Sequence, residues 1–158
     1  MSDAAAISAG MADLHVLFHV GDAEYAISAA DVVQMESYAG ATPVPGVPAW
    51  VAGLMQIRGR VVPVVDLRRC FGLAAQAPAL GARVIVIGAV GAASRVIGLL
   101  VDAAREVTRI EADRMSPPPD LVADRTGGLV RAVTRVGDRI VLVIDAARVT
   151  GEEWAHGG

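Results

Sequence analysis

Residues 54–67 read LMQIRGRVVPVVDL, two apolar arms with Arg58, Gly59 and Arg60 between them. So charged a break suits three structures: a phosphate-gripping loop, a basic contact for nucleic acid, or the corner of a β-hairpin whose arginine faces a protein partner. A Walker-type loop needs a glycine-rich run ending in Gly-Lys-Ser/Thr ahead of a helix. RGR has one glycine and strand-like residues on both sides. The arms VAGLMQI and VVPVVD are apolar and rich in β-branched residues, so a hairpin is the simplest reading. Pro63 lacks a backbone N–H and predicts an edge or bulged position for the second arm.

The 158 residues fit one domain, or two small subdomains sharing a core. Hydrophobic residues make up 54% and aromatics only 4%, so the core must be built from Val, Ile and Leu. With 14 basic and 17 acidic side chains the net charge is −3, which lacks the positive field that draws phosphate backbones and argues against nucleic acid as a partner. Every basic residue is arginine, a side chain suited to bidentate pairing with carboxylates. Cys70 is the single cysteine, so no internal disulfide forms and a reducing cytoplasm fits. Residues 1–13 are acidic where a signal peptide would be basic, and read as a loose leader. No apolar run approaches the roughly 18–20 residues of a membrane span, so direct membrane insertion is not expected.

Working outward, LHVLFHV and EYAI are strand candidates joined at Gly21-Asp22. VVQMES alternates, with Val33 and Met35 on one face and Gln34 and Glu36 on the other. Pro43, Pro45 and Pro48 make TPVPGVPAW an extended connector. After the RGR hairpin, the small uncharged residues 74–82 predict a linker between an N-terminal half, 14–73, and a C-terminal half, 83–144. RVIVIGAV, RVIGLLVD and EVTRI follow as strands, then a polyproline connector at Pro117–Pro119, then a hairpin of GLVRAVTRV and RIVLVID turning at Gly137-Asp138. VGD occurs at 20–22 and 136–138, and DAAR at 102–105 and 145–148, echoes that agree with two barrels built alike. Residues 145–150 are expected to return toward the first half, and 151–158 to form a tail.

Candidate reactive groups are few. Asp66, Asp102 and Asp145 each end an apolar strand. In a parallel α/β sheet they would suggest a metal or phosphoryl site, and hence a small nucleotide- or metal-binding enzyme. The intervening spans lack the helices that parallel crossovers need, so each Asp is expected to cap a short helical turn instead. GAVGAAS at 88–94 lacks GxGxxG and reads as a hairpin turn. His15 and His19 share a face without a third ligand, and Cys70 in RRCFGL has no nearby histidine, so it reads as a packed hydrophobe. An oligonucleotide-binding barrel is disfavoured by a total of six aromatic residues, too few for a stacking platform. No cofactor is expected. Arg58 must either project into water or find a carboxylate or amide, and Gln34 and Glu36 are the candidates on the earlier strand.

The segment PVPGVPAWVAGLMQIRGRVVPVVDLRRCFGL resembles the signature region of the CheW family of chemotaxis coupling proteins. LFHVGDAEYAISAADVVQM resembles that family's opening hairpin, VIGLLVDAAREVTRIEADRMSPPPDL its central block, and VRAVTRVGDRIVLVIDAARV its closing hairpin. The resemblance covers about residues 14–150. It implies an all-β, mainly antiparallel fold with short helical turns: two intertwined SH3-like five-stranded barrels with a groove between them, and no catalysis. It implies an adaptor that couples chemoreceptors to a CheA-type histidine kinase, one surface meeting the receptor's cytoplasmic tip and another the kinase's regulatory domain. Such a protein would be cytoplasmic, at receptor arrays on the inner face of the membrane, or would serve a type IV pilus or other chemosensory array. By position, Arg58 matches the signature arginine with Gly59 beside it, Gly53 the preceding glycine, and Val32, Gln34 and Met35 the receptor-contacting strand. Gln34 stands where many members carry a glutamate able to pair with that arginine, and Glu36 is expected to supply the carboxylate. Ala132 stands where a glycine is common before the last hairpin.

Overall fold

The computed structural model describes residues 13–150 apart from 75, 76, 79, 90 and 91. The leader expected at 1–13, but for Asp13, and the tail at 151–158 lie outside the described residues. The first hairpin is β1 (Leu14–Val20) and β2 (Ala23–Ser28); a 3-10 turn at Ala29–Asp31 leads to β3 (Val32–Ser37). The RGR hairpin is β4 (Val51–Ile57) and β5 (Arg60–Asp66), followed by α1 (Leu67–Cys70). Then come β6 (Arg83–Ala89), β7 (Ala92–Val101), β8 (Ala103–Arg109), α2 (Asp120–Arg125), β9 (Val130–Val136), β10 (Arg139–Ile144) and α3 (Ala146–Thr150).

Two five-stranded sheets result, in the orders β8-β1-β2-β10-β9 and β3-β6-β7-β5-β4. Their construction is the same. Two hairpins join through a parallel pair, β2 with β10 in the first sheet and β7 with β5 in the second, and a fifth strand adds antiparallel to one outer side. That fifth strand is exchanged. The β1–β2 hairpin of the first sheet hands β3 to the second, and the β6–β7 hairpin of the second hands β8 to the first.

The halves expected at 14–73 and 83–144 are therefore not the structural units. The first sheet draws on residues 14–28, 103–109 and 130–144, and the second on 32–66 and 83–101. Linker composition marks where a chain is solvated; which sheet captures a strand is decided by pairing and burial. Likewise α3 packs on β6 and β7 of the second sheet. The VGD echoes both fall on turns of the first sheet, so they do not mark equivalent positions in the two barrels.

Burial explains why neither sheet stands alone. Each has a small interior, Leu17, Ala26, Ile110 and Val141 in the first and Ile57, Val62, Val64, Val84, Val86 and Leu100 in the second. The larger cluster lies between them, where Phe18 and Ile27 meet Val65, Ile85, Ile87 and Leu99. β1 and β6 are thus apolar on both faces, which is why their sequences run nearly continuous instead of alternating. Three of the six aromatics bridge the same seam: Tyr25 stacks on Phe18 at 5.7 Å and on Phe71, just after α1, at 4.8 Å.

Of the two positions expected for Pro63, the edge is not found, since β5 is interior, between β4 and β7, but a register shift lies beside it, where Val51 and Gly53 pair with Val65 and Val64. The parallel ladder with β7 begins only at Val64, paired with Gly98. Pro63 sits just ahead of it, where no N–H is required.

Candidate partner-binding surfaces

Strand exchange leaves β3 and β8 as outer strands of different sheets, and a groove of about 280 Å³ runs between them. Met35 and Glu36 line it from β3, Arg105 and Val107 from β8, with Val16 and Arg83 completing the wall. Met35 is 42% exposed and Val107 56%, so the groove offers apolar side chains to a partner between charged rims. Glu106 of β8 is tied to Arg139 at 3.0 Å, and Arg139 reaches Glu24 at 3.3 Å, which braces β8 against β2 and β10. Val32 is half-buried against the shared core and closes the 3-10 turn, so it anchors β3.

Gln34 and Glu36 share a face, as their spacing predicts, and Gln34 Nε2 donates to Glu36 Oε2 at 2.9 Å. Neither pairs with Arg58. The expected substitute ion pair is absent, and among the described residues Arg58 has no ion-pair or hydrogen-bond partner. The physical reason is placement: Arg58 occupies a turn tip while Glu36 faces the β3–β8 groove.

Arg58 and Gly59 form a two-residue turn between Ile57 and Arg60. Both have positive φ, 51° and 78°, the pattern of a type I′ turn, in which Asn-Gly is the favoured pair. Arg58 is the one non-glycine residue with positive φ among those described. Left-handed backbone costs a side-chain-bearing residue about 1–2 kcal/mol. Arg58 is exposed, so no packing gain offsets that cost.

Two carried-over positions prove to be interior. Gly53 is buried at φ 144°, and a Cβ there would lie 2.2 Å from the Thr42 carbonyl oxygen. That closeness lets Thr42 bridge Leu54 through paired backbone bonds of 2.8 and 2.9 Å, pinning the proline-rich connector along β4. Gly53 therefore positions the RGR hairpin without presenting a surface. Ala132 is 5% exposed on β9, so it too is a packing residue and not a contact.

The strand-end aspartates behave largely as expected. Asp66 caps α1 through Arg68 N at 3.0 Å, and Asp145 accepts from Arg148 N at 3.3 Å. Asp102 differs: no helix follows it, and its Oδ2 accepts from Gly21 N at 2.7 Å and from Arg68 at 2.6 Å. No group of three or more potential metal ligands occurs among the described residues. Burial, aided by Asp66, pushes the Cys70 thiol up to about 12, which keeps it unreactive. His15 is buried with Nδ1 on the Asp13 carbonyl at 2.9 Å.

A family model described as CheW-like domain matches residues 14–153. The chain belongs to the CheW-like domain family. This CheW-like chain is 32% identical to chemotaxis protein CheW of Rhizobium meliloti (strain 1021), over 87% of both chains. It is 30% identical to chemotaxis protein CheW of Bacillus subtilis (strain 168), over 87% of this chain and 86% of that one. The crystal structure of the scaffolding protein TtCheW from Thermoanaerobacter tengcongensis superposes with a TM-score of 0.78 at 26% identity, covering 88% of this chain and 92% of that one. The all-β fold of two five-stranded sheets is thus the CheW fold.

Sequence reasoning missed β8 as the second wall of the groove: EVTRI reads as a strand, but no local signal tells which sheet would take it. In the described residues no helix is long and apolar enough to cross a membrane.

Proposed function

We propose that this chain couples chemoreceptors to a CheA-type histidine kinase by binding both, and catalyses nothing. Its family makes it a chemotaxis coupling adaptor. The observation that carries the reading is the family match over residues 14–153, which spans both sheets and both exchanged strands. The groove walled by Met35, Glu36, Arg105 and Val107 receives the receptor's cytoplasmic tip: apolar floor and charged rim suit an amphipathic segment. Val32 and Gln34 hold β3 in register beside it. Arg58, presented by Gly59, fixes orientation against a partner carboxylate, with modest affinity per contact multiplied by the repetition of an array. The protein works in the cytoplasm at the inner face of the membrane, where receptor tips and kinase meet.

Co-sedimentation with receptor-bearing membranes, with and without the kinase, tests this. The chain should pellet with receptors alone and draw the kinase down with it. A chain that remains in the supernatant under both conditions would exclude the coupling role.

A further inference from the structure

We propose a third docking site, beyond the groove and the Arg58 turn: a basic cleft that takes an extended, acidic segment of a partner protein. The cleft, of about 320 Å³, lies at the seam where the end of β8 approaches β9 across the 3-10 turn Ala112–Arg114. Arg109, Arg114 and Arg135 line it against one carboxylate, Glu111, in a chain whose net charge is −3. Arg109 shares its charge with Asp13 at 3.7 Å. Arg114 and Arg135 are exposed and have no ion-pair partner among the described residues.

The walls are fixed. Buried Thr134 donates its hydroxyl to the Arg114 carbonyl at 3.0 Å, Arg114 N bonds Glu111 O at 2.9 Å, and Ser116 and Val133 form a two-bond bridge. These bonds fix the backbone from which Arg114 and Arg135 project, so an arriving ligand has only side chains to order.

Backbone geometry selects a peptide. Val136 and Arg139 flank a two-residue turn, so alternate β9 residues turn their N–H and C=O groups away from β10. Val133 is one of these and uses both groups on Ser116; Arg135 is the next, and no bridge extends to it on that side among the described residues. An extended segment can therefore add to the β9 edge at Arg135 while its carboxylates reach the guanidinium forks. No aromatic side chain lines the cleft, so nothing there would stack on a nucleotide base.

The test uses the full chain and a synthetic peptide alternating glutamate with valine, followed by fluorescence anisotropy and by hydrogen exchange at the Arg135 amide. The peptide should bind, protect that amide, and weaken by about tenfold in the Arg114→Glu/Arg135→Glu double variant, the loss expected for two exposed charge pairs. A glutamine-for-glutamate peptide should fail to bind, and Met35→Glu, in the groove, should leave binding unchanged. If the reversals disturb the circular dichroism, Arg114→Gln/Arg135→Gln carries the same expectation. Failure of the peptide to bind, insensitivity to the arginine variants, equal binding of the glutamine peptide, or an Arg135 amide left unprotected would each overturn the proposal. So would anionic lipid vesicles binding in place of the peptide.

Discussion

Arg68 and Asp102 meet at 2.6 Å although 34 positions separate them, and the same Asp102 oxygen accepts from Gly21 N at 2.7 Å. One carboxylate thus ties the β7–β8 crossover to α1 and to the β1–β2 turn. It sits where the chain passes from β7 in the second sheet to β8 in the first, and so helps to hold the exchange from which the groove arises. Asp102→Ala should lower unfolding stability by about 2 kcal/mol, since it removes two bonds, one charge-assisted. Asp102→Asn, which keeps an acceptor for Gly21, should lose less. Urea titration reads both, and a cycle with Arg68→Ala should give a coupling energy of roughly 1 kcal/mol.

Gly53 and Gly59 both have positive φ, but only Gly53 has backbone within reach of a Cβ. Gly53→Ala should cost more than about 2 kcal/mol, combining backbone strain with overlap on Thr42. Gly59→Ala should cost only about 1 kcal/mol, from backbone strain alone. Thermal denaturation of the pair would separate them, and equal losses would show that Thr42 yields.

Arg58→Gly should raise stability by up to about 1 kcal/mol, because glycine accepts the left-handed turn without penalty. The same substitution should weaken receptor or kinase coupling, and Arg58→Glu should weaken it further while far-UV circular dichroism stays unchanged. A gain in melting temperature joined to a loss in co-sedimentation is the expected signature; loss of the fold would make Arg58 structural.

Met35→Glu and Val107→Arg place charge on opposite walls of the groove at exposed positions. Each should reduce receptor co-sedimentation severalfold without changing urea stability. An effect from only one wall would mean that the partner leans on a single strand.

Burial lowers the His15 pKa from its ordinary 6.5, with Arg131 acting in the same direction and the Asp13 carbonyl opposing. The unfolded chain therefore takes up a proton that the folded chain refuses. This contribution to stability is complete above about pH 6.5 and is lost as pH falls from there toward the lowered value. His15→Gln should flatten the stability profile across that window, measured by urea titration at a series of pH values.

Much of this structure is legible in the chain. Apolar runs broken by Gly-Asp and Arg-Gly pairs predict the hairpins, because two-residue turns demand those backbone angles at those positions. The proline cluster at 43–48 predicts an extended connector, and Asp66 and Asp145 predict caps because their carboxylates reach backbone N–H groups only a few residues on. Gly53 and Ala132 misled for a shared reason: a family position can matter through the neighbour it admits, and sequence does not show depth.

What the sequence by itself determined is local: strand periodicity, turn chemistry and capping, each fixed by atoms within a few residues. The tetrapeptide DAAR shows where that ends. At 145–148 it opens α3, where Asp145 caps the turn and Ala146 joins the shared core; at 102–105 it enters β8, where Asp102 is held by Gly21 and Arg68 and the following residues pair with β1. Only the tertiary structure decided between the two, along with the exchange of β3 and β8 and the groove between them. The reason is that edge pairing and burial between sheets join residues far apart in the chain, and outweigh the small helix or strand preference of four residues.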